Sequence, residues 1–282
     1  MKINIIIPAH NEAEFIELTL ESLATQTHLP NKIIVVDDGS TDNTAKIVKK
    51  ISLKYPFISL VKNATTSAHE PGSKIVNAFY KGYYELDGDF DVICKFDADL
   101  IFPENYLESI VHIFRSDKQI GMAAGFCSVL KNNKWVPENL TNKDHIRGAL
   151  KAYRKHCFIS IGELKPAMGW DTADELLARY HDWKIVTDEQ LLVKHLRPTG
   201  KNYFKNSARK QGEAFYRLHY SFWLCFIASA KLAVLKGKPF LFFNYMYGFF
   251  KAQKEKKPFL VSPEEGAFIR NLRWKNMKQK LF

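Results

Sequence analysis

Asp97 and Asp99 stand one residue apart in Lys95-Phe96-Asp97-Ala98-Asp99-Leu100, directly behind the apolar run Val92-Ile93-Cys94. β-Branched and apolar residues that follow an acidic turn, Asp87-Gly88-Asp89, read as a short buried strand. The C-terminal edge of such a strand is where open α/β sheets bind ligands. In extended backbone, residues i and i+2 point the same way, so both carboxylates can face one ligand. Two like charges at that spacing repel unless a cation lies between them, and a divalent metal is the usual solution. An all-oxygen set suits Mg2+ or Mn2+ better than zinc. The plain alternative is a solvated acidic turn, so the surrounding elements decide.

Those elements are legible on both sides of the pair. Ile3-Asn4-Ile5-Ile6-Ile7 is an unbroken strand, as expected where helices cover both faces of a sheet. Pro8 is expected to stop it, with His10-Asn11-Glu12 forming a loop before a helix over residues 13–25. A second strand, 32–36, ends in Asp37-Asp38-Gly39-Ser40-Thr41-Asp42. Gly39 permits a tight turn there, and Ser40, Thr41 or Asp42 can cap a helix starting near Asn43. A third strand, 58–61, leads through a polar loop and Gly72-Ser73-Lys74 into a helix over 75–85. This alternation predicts an α/β chain with a mostly parallel, doubly wound, Rossmann-like sheet. Beyond it the pattern predicts a helix over 103–114, a strand over 121–126 and a loop over 165–170. A helix over 172–181 and closing strands over 183–186 and 191–195 follow. Residues 131–149 are polar and show no clear period.

Composition bounds the rest. A chain of 282 residues with 46% apolar content can build one large or two modest cores. The four cysteines (Cys94, Cys127, Cys157, Cys225) show no C-x-x-C pairing, and three lie in apolar runs. That predicts reduced, buried thiols in a cytosolic-type compartment and no zinc site. The N-terminus enters a strand directly, without the pattern of a cleavable leader. The net charge of +11 is uneven: 17 Lys and Arg against 4 Asp and Glu from Gly200 onward, and 24 against 26 before it. Such asymmetry predicts an acidic body joined to a basic element that seeks an anionic surface, either lipid or nucleic acid. The aromatic-rich runs 221–235 and 240–250 are shorter than the ~20 residues that span a bilayer. Basic clusters follow at 251–257 and at Arg270, Arg273, Lys275, Lys278 and Lys280. Aromatic runs beside Lys and Arg suit in-plane interfacial helices, so residues 201–282 are expected to form a helical region resting on a membrane. An ordinary helical subdomain with a basic surface is the alternative.

Three motifs in order carry a resemblance: Pro8-x-x-Asn11-Glu12, then Val35-Val36-Asp37-Asp38-Gly39-Ser40-Thr41-Asp42, then Asp97-Ala98-Asp99. Over roughly residues 1–200 the chain resembles a family-2 glycosyltransferase with the GT-A fold. Gly169-Trp170-Asp171-Thr172-Ala173-Asp174-Glu175 and Val193-Lys194-His195-Leu196-Arg197-Pro198-Thr199-Gly200 are similar to a bacterial branch of that family. In that branch a basic, aromatic C-terminal region rests on the membrane. The resemblance implies an inverting, metal-dependent transferase of the hexosyltransferase type. It would take sugar from a nucleotide-diphosphate sugar, UDP-sugars being the commonest donors in the family. The implied acceptor is lipid-linked or membrane-proximal, in cell-surface polysaccharide or glycolipid synthesis. The implied location is peripheral, at the cytoplasmic face of a bacterial inner membrane.

The same resemblance implies roles. Pro8, Asn11 and Glu12 line the nucleotide pocket, Asp38 meets the base or ribose, and Asp37 supports it. Lys74 falls where related enzymes place a basic residue near the sugar-phosphate. Asp97 contacts the ribose or the metal's shell, Asp99 ligates the Mn2+ or Mg2+ that bridges the diphosphate, and His195 is a third ligand or a phosphate contact. The chemistry asks for these types. A metal neutralises charge on the leaving diphosphate, and an inverting transfer needs a carboxylate to take the acceptor hydroxyl's proton. That base belongs to the group Asp171, Asp174 and Glu175. Many relatives carry Glu-Asp where this chain has Asp174-Glu175, so the choice stays open, Asp174 first and Asp171 second. All three acids also suit a helix start, Asp171 as cap and the others in the first turn. Arg209-Lys210-Gln211-Gly212 stands where processive relatives carry Gln-x-x-Arg-Trp; that motif is not intact, so single addition is expected.

Two other classes compete. A nucleotidyltransferase wants a Gly-rich, Arg/Lys-bearing loop after the first strand, and Pro8-Ala9-His10-Asn11-Glu12 is not one. A non-catalytic GT-A-like protein that binds membrane or nucleic acid is the remaining alternative. The basic residues lie among apolar aromatic runs, which favours lipid over nucleic acid.

Overall fold

The structure, a computed structural model, describes residues 1–63, 72–138, 145–197 and 204–279. Its strands are β1 (Ile3–Ala9), β2 (Lys32–Asp37), β3 (Ile58–Lys62), β4 (Val92–Phe96), β5 (Leu100–Ile101), β6 (Ile120–Lys131), β7 (Lys134–Pro137), β8 (Leu150–Arg154) and β9 (Lys184–His195). Its helices are α1 (Ile16–Ala24), α2 (Thr44–Lys54), α3 (Ser73–Tyr83), α4 (Tyr106–Ser116), α5 (Lys155–Ser160) and α6 (Trp170–Tyr180). The C-terminal part adds α7 (Phe204–Arg217), α8 (Phe222–Leu235), α9 (Leu241–Lys254) and α10 (Pro263–Lys278).

The expected parallel half of the sheet is β3-β2-β1-β4, connected through α1, α2 and α3. The chain leaves β1 toward β2 on one side and reaches β4 on the other. The C-terminal ends of β1 and β4 therefore flank a switch point, the place where such sheets bind ligands. Pro8 does not end β1, which pairs with β2 as far as Ala9↔Asp37. Carbonyls of Ile3 and Ala9 accept from the β2 side, so Pro8, in the alternate position, turns its missing N–H toward β4. The β1–β4 register stops at Ile6↔Lys95, so the proline breaks no ladder bond.

Past β4 the sheet is mixed, in the order β4-β8-β6-β9-β5 with β7 hairpinned on β6. No helix intervenes between β6 and β8 among the described residues, and the two run antiparallel. β9 returns after α6 and lies parallel to β6, as a helical crossover requires. The two closing strands expected over 183–186 and 191–195 are one strand, β9, with its register against β6 interrupted between Ala124 and Phe126. β7 lies inside the stretch that showed no period and β8 directly after it, where no strand was expected because its alternate residues Lys151 and Tyr153 are buried polar groups rather than apolar ones.

The compositional break near residue 200 is not a packing boundary. Phe215, Leu218, Leu224, Phe249, Val261 and Ile269 belong to the same buried cluster as the sheet. α7 crosses α9 at two glycines: a Cβ on Gly212 would lie 1.8 Å from the Tyr245 carbonyl oxygen, and one on Gly248 1.9 Å from that of Arg209. α10 starts in a capping box, with the Ser262 side chain accepting from Glu265 N–H and the Glu265 carboxylate accepting from Ser262 N–H. No described helix is long and apolar enough to cross a membrane.

Candidate active site

Loops from the ends of β1 and β2 are tied to one another at the switch point. Asn11 adopts φ 55°, a left-handed conformation that Asn tolerates better than most residues. In it the Asn11 carbonyl oxygen Oδ1 accepts from Thr41 N at 2.8 Å, while Asn11 N donates to Ser40 Oγ at 2.9 Å. Glu12 N donates to Thr44 Oγ1 at 2.8 Å. Asp42, of the three candidate caps, holds the start of α2: its Oδ1 accepts from Thr44 N, and its Oδ2 accepts from Ala13 N. Asp37 Oδ1 accepts from Ser40 N at 3.0 Å and closes the turn. Asp38 is buried, with Oδ1 accepting from Asn63 Nδ2 at 2.7 Å and Oδ2 paired with Lys74 Nζ at 3.1 Å. Lys74 thus reaches the crevice through Asp38.

The second acidic group forms around the end of β4. Lys95 and Asp97 share a face of extended backbone, and the buried Lys95 ammonium donates to Asp97 Oδ1 and to the Gly148 carbonyl oxygen (3.0 Å). Burial pushes the Asp97 carboxyl up, but the Lys95 charge and hydrogen bond, with His195 and Arg147, outweigh it and hold the carboxyl below its ordinary value. Thr19 of α1 pins the turn, its hydroxyl donating to Ala98 O (2.7 Å) and accepting from Leu100 N (3.0 Å). β5 pairs Leu100 with His195, which brings His195 Nε2 to 3.4 Å from Asp99 Oδ2. Arg197, two residues on, grips Glu12 with both guanidinium arms at 2.9 Å. Even so, burial together with Asp99 and Asp97 lifts the Glu12 carboxyl to about 7.

The third acidic group belongs to α6. The helix begins at Trp170, with Gly169 at φ 78° before it, so Asp171 is not its cap but lies in its first turn. Asp174 and Glu175 are buried one turn on, around the fully buried Lys151 Nζ, 3.0 Å from Asp174 Oδ1 and from Glu175 Oε1. The Tyr153 hydroxyl donates to Asp174 Oδ2, and Ile146 N and His145 hold Glu175. Burial lifts Asp174 to about 6 against the pull of Lys151, with Glu175 adding to the rise. Burial also pushes Glu175 up, but Lys151 and His145 prevail and keep it below the ordinary glutamate value. Lys151 also donates to the Asp171 backbone carbonyl at 2.6 Å. Among the described residues no hydrogen bond or ion pair engages the Asp171 carboxylate. It lies against Gly148, where a Cβ would stand 3.4 Å from Asp171 Oδ2 and 3.0 Å from the Trp170 ring. Gly148 is also the carbonyl that Lys95 bonds, so Asp171 and Asp97 approach one backbone segment from two sides.

A family model described as glycosyl transferase family 2 matches residues 4–162, more than half of the chain. The chain belongs to glycosyl transferase family 2. A probable glycosyltransferase of Bacillus subtilis, YdaM, is 32% identical over 147 residues, 51% of this chain and 34% of that protein. The chain therefore spans about a third of that relative's length. Among solved structures, Staphylococcus aureus TarS in complex with UDP-GlcNAc superposes with a TM-score of 0.57 at 20% identity, covering 78% of this chain and 65% of that one. The mannosyltransferase PcManGT of Pyrobaculum calidifontis, in complex with GDP-Man and Mn2+, covers all of this chain and 81% of its own, with a TM-score of 0.56 and 14% identity. Both likenesses establish the fold.

Asp99 and His195 lie close enough to share a divalent cation, and Asp97 stands near them with one oxygen held by Lys95. Asp99 is 8% exposed and faces His195 Nε2, while His195 Nδ1, buried without a hydrogen bond among the described residues, turns the other way, 3.7 Å from Glu138 Oε2. Two carboxylates and an imidazole form a donor set that Mn2+ accepts. Behind them, ligand atoms of Cys127, Glu138 and His195 lie within 4.8 Å of one another, with the Arg147 guanidinium paired to Glu138. Sequence reasoning missed Lys95, Lys151, Asn63 and Thr19, and assigned no role to Arg197. The signal for the two lysines was present: a lysine alternating with apolar residues inside a strand must find a buried anion. Pro198, Thr199 and Gly200 of the last quoted motif lie outside the described residues.

Proposed function

We propose that the chain is an inverting, metal-dependent glycosyltransferase that moves a sugar from a nucleotide-diphosphate sugar to a lipid-linked or membrane-proximal acceptor. We place it peripherally at the cytoplasmic face of a bacterial membrane, in glycolipid or surface-polysaccharide synthesis. The observation that carries the reading is the convergence of Asp38, Asp97 and Asp99 on one switch point, with the start of α6 beside them. The nucleotide-sugar complexes of TarS and PcManGT, and the Mn2+ of the latter, support a nucleoside-diphosphate donor and a divalent ion.

Asp38, steadied by Asn63 and Lys74, hydrogen-bonds the base or ribose, while Asn11 shapes the backbone of the pocket. Asp99, Asp97 and His195 would hold Mn2+ or Mg2+, which when bound acts as a Lewis acid on the leaving diphosphate. Lys95 keeps Asp97 ionised for that role. Asp171 takes the proton of the acceptor hydroxyl, ahead of Asp174: the Asp171 carboxylate is free to meet an acceptor, whereas the Asp174 oxygens are occupied by Lys151 and Tyr153. Asp174, Glu175 and Lys151 fix the first turn of α6 and so aim Asp171.

The first test is thermal shift with nucleoside diphosphates, with and without Mn2+, on the wild type and on Asp99→Asn. A ligand that binds only the folded chain raises Tm by mass action. A metal-dependent rise in the wild type, lost in Asp99→Asn, is expected; no rise with any nucleotide would remove the enzyme. In a transfer assay, Asp171→Asn should lower kcat by about 10²–10⁴-fold with donor binding intact. A larger kcat loss in a folded Asp174→Asn would return the base to Asp174.

A further inference from the structure

Two clefts lie side by side between the start of α3, the chain before α6 and the C-terminal helices. The first, of 210 Å³, is walled by Ser73, Met168, Lys210, Glu213, Arg217 and Lys257. Ser73 stands between Gly72 and Lys74, the residue paired with Asp38; Met168 precedes Gly169, from which α6 starts toward Asp171. The cleft thus opens beside both halves of the active site. Its charge is unbalanced. Arg217 Nη1 is 3.7 Å from Glu213, Lys257 Nζ is 3.7 Å from Glu255, and no described residue pairs with Lys210. Arg217 Nε donates to Pro258 O at 2.9 Å, which fixes the guanidinium in the wall. Three cations around one lining carboxylate suit an anion with several acceptor oxygens, and a phosphate is the best match.

The second cleft, of 430 Å³, is walled mainly by rings: Tyr216, Phe222, Phe249, Phe250 and Phe259, with Arg270. It adjoins the first, because Tyr216 neighbours Arg217 in the chain and Phe259 neighbours Pro258. The Tyr216 and Phe259 rings meet at 5.1 Å across that shared wall. Phe222 and Phe250 carry the trench out to the exposed aromatic face of α8 and α9. A cationic end and an aromatic trench in one line match an amphiphile with an anionic head and a hydrocarbon tail.

We propose that the two clefts seat a lipid phosphate, its head among Lys210, Arg217 and Lys257 and its tail along the trench. Its role as the carrier of the acceptor rests on the glycosyltransferase reading above; its binding does not. The probes are n-dodecyl phosphate, dodecyl maltoside and inorganic phosphate, each titrated calorimetrically into the full chain below its micelle concentration. Dodecyl phosphate should bind at least about tenfold more tightly than either of the others. Lys210→Ala/Lys257→Ala should weaken dodecyl phosphate about tenfold, and Phe250→Ala should weaken it without changing inorganic phosphate. Lys231→Ala/Lys254→Ala, which removes exposed lysines outside both clefts, should leave it unchanged. Inorganic phosphate binding as tightly as dodecyl phosphate would reduce the site to an ion site and overturn the proposal. Equal binding of dodecyl maltoside, or equal loss in the control variant, would overturn it as well. Nucleoside-diphosphate binding with Mn2+ is measured on the same variants. Its absence in the wild type removes the glycosyltransferase reading, whereas its persistence alongside a failed dodecyl phosphate titration removes only the lipid site.

Discussion

Lys95 changes what the Asp97-x-Asp99 pair requires. Two carboxylates at that spacing call for a cation, and for Asp97 part of that cation is already covalent, supplied from two residues earlier on the same face. The sequence made the pair visible but not its partner, because a lysine inside an apolar strand declares a buried charge without saying which acid it meets. The α6 acids illustrate the same limit. Asp171, Asp174 and Glu175 look equivalent as letters, and only β8, which contributes Lys151 and Tyr153, separates one half-buried carboxylate without a hydrogen bond among the described residues from two that hold the helix. The separation predicts a pH signature. Burial lifts Asp174 to about 6, whereas an unfolded aspartate titrates near ~3.9. Between those values the folded chain binds this proton and the unfolded chain does not, so stability falls as pH rises. The contribution is full below ~4 and lost by about 6. Glu175 is shifted the other way and acts at lower pH, through loss of stability as its carboxyl protonates. Denaturant titrations at a series of pH values should show wild-type stability declining across the Asp174 window and Asp174→Asn declining less steeply there, the slope that remains belonging to Glu12, whose carboxyl is lifted to about 7. A parallel decline in both proteins would remove Asp174 as its source.

At the scale of elements, the strand-loop-helix order through β4 was readable because it follows hydrophobic period and turn chemistry, both local. What was not readable is long-range: β8 inserted between β4 and β6, and the fusion of two short segments into β9. Those depend on which strand offers a free edge. Helix contacts were also hidden. Nothing in the sequence singled out Gly212 and Gly248, yet they are where α7 and α9 touch backbone to backbone, and Lys210 and Arg217 of α7 line one cleft with Met168, just before α6. Gly248→Ala places a methyl 1.9 Å from the Arg209 carbonyl oxygen, so the helices must separate. Overpacking of this kind costs ~1–3 kcal/mol, against a small gain in helix propensity. Urea unfolding should register a net loss of that order. A neutral or stabilising result would mean that α7 and α9 move apart freely. The exposed Gly237, with nothing within 4 Å of a Cβ, is the control for a glycine held only by its positive φ.

For the whole molecule, the charge asymmetry seen in the sequence reappears as geometry. Trp223, Phe243 and Val234 are 63%, 72% and 77% exposed, and Phe226, Tyr247 and Phe250 join them on α8 and α9. Lysines 231, 236, 238, 251 and 254 are carried by the same two helices and the turn between them. Exposed apolar side chains and lysines carried on the same helices gain twice at an anionic lipid surface. Each buried aromatic side chain contributes ~1.5–3 kcal/mol relative to water, and each lysine near the surface adds ~1 kcal/mol that salt screens. The two contributions separate experimentally. Sedimentation with vesicles should show binding to anionic but not to neutral lipid at low salt, weakening as ionic strength rises. Trp223→Ser/Phe243→Ser should cut partitioning about tenfold or more at fixed salt while leaving the salt slope intact, because only the apolar part is removed. Replacing the exposed lysines should flatten the slope and leave the aromatic insertion. Equal binding to neutral vesicles, or none to either, would detach the C-terminal helices from the membrane; their aromatic face would then be a surface for another protein, and the active site would open to a soluble acceptor.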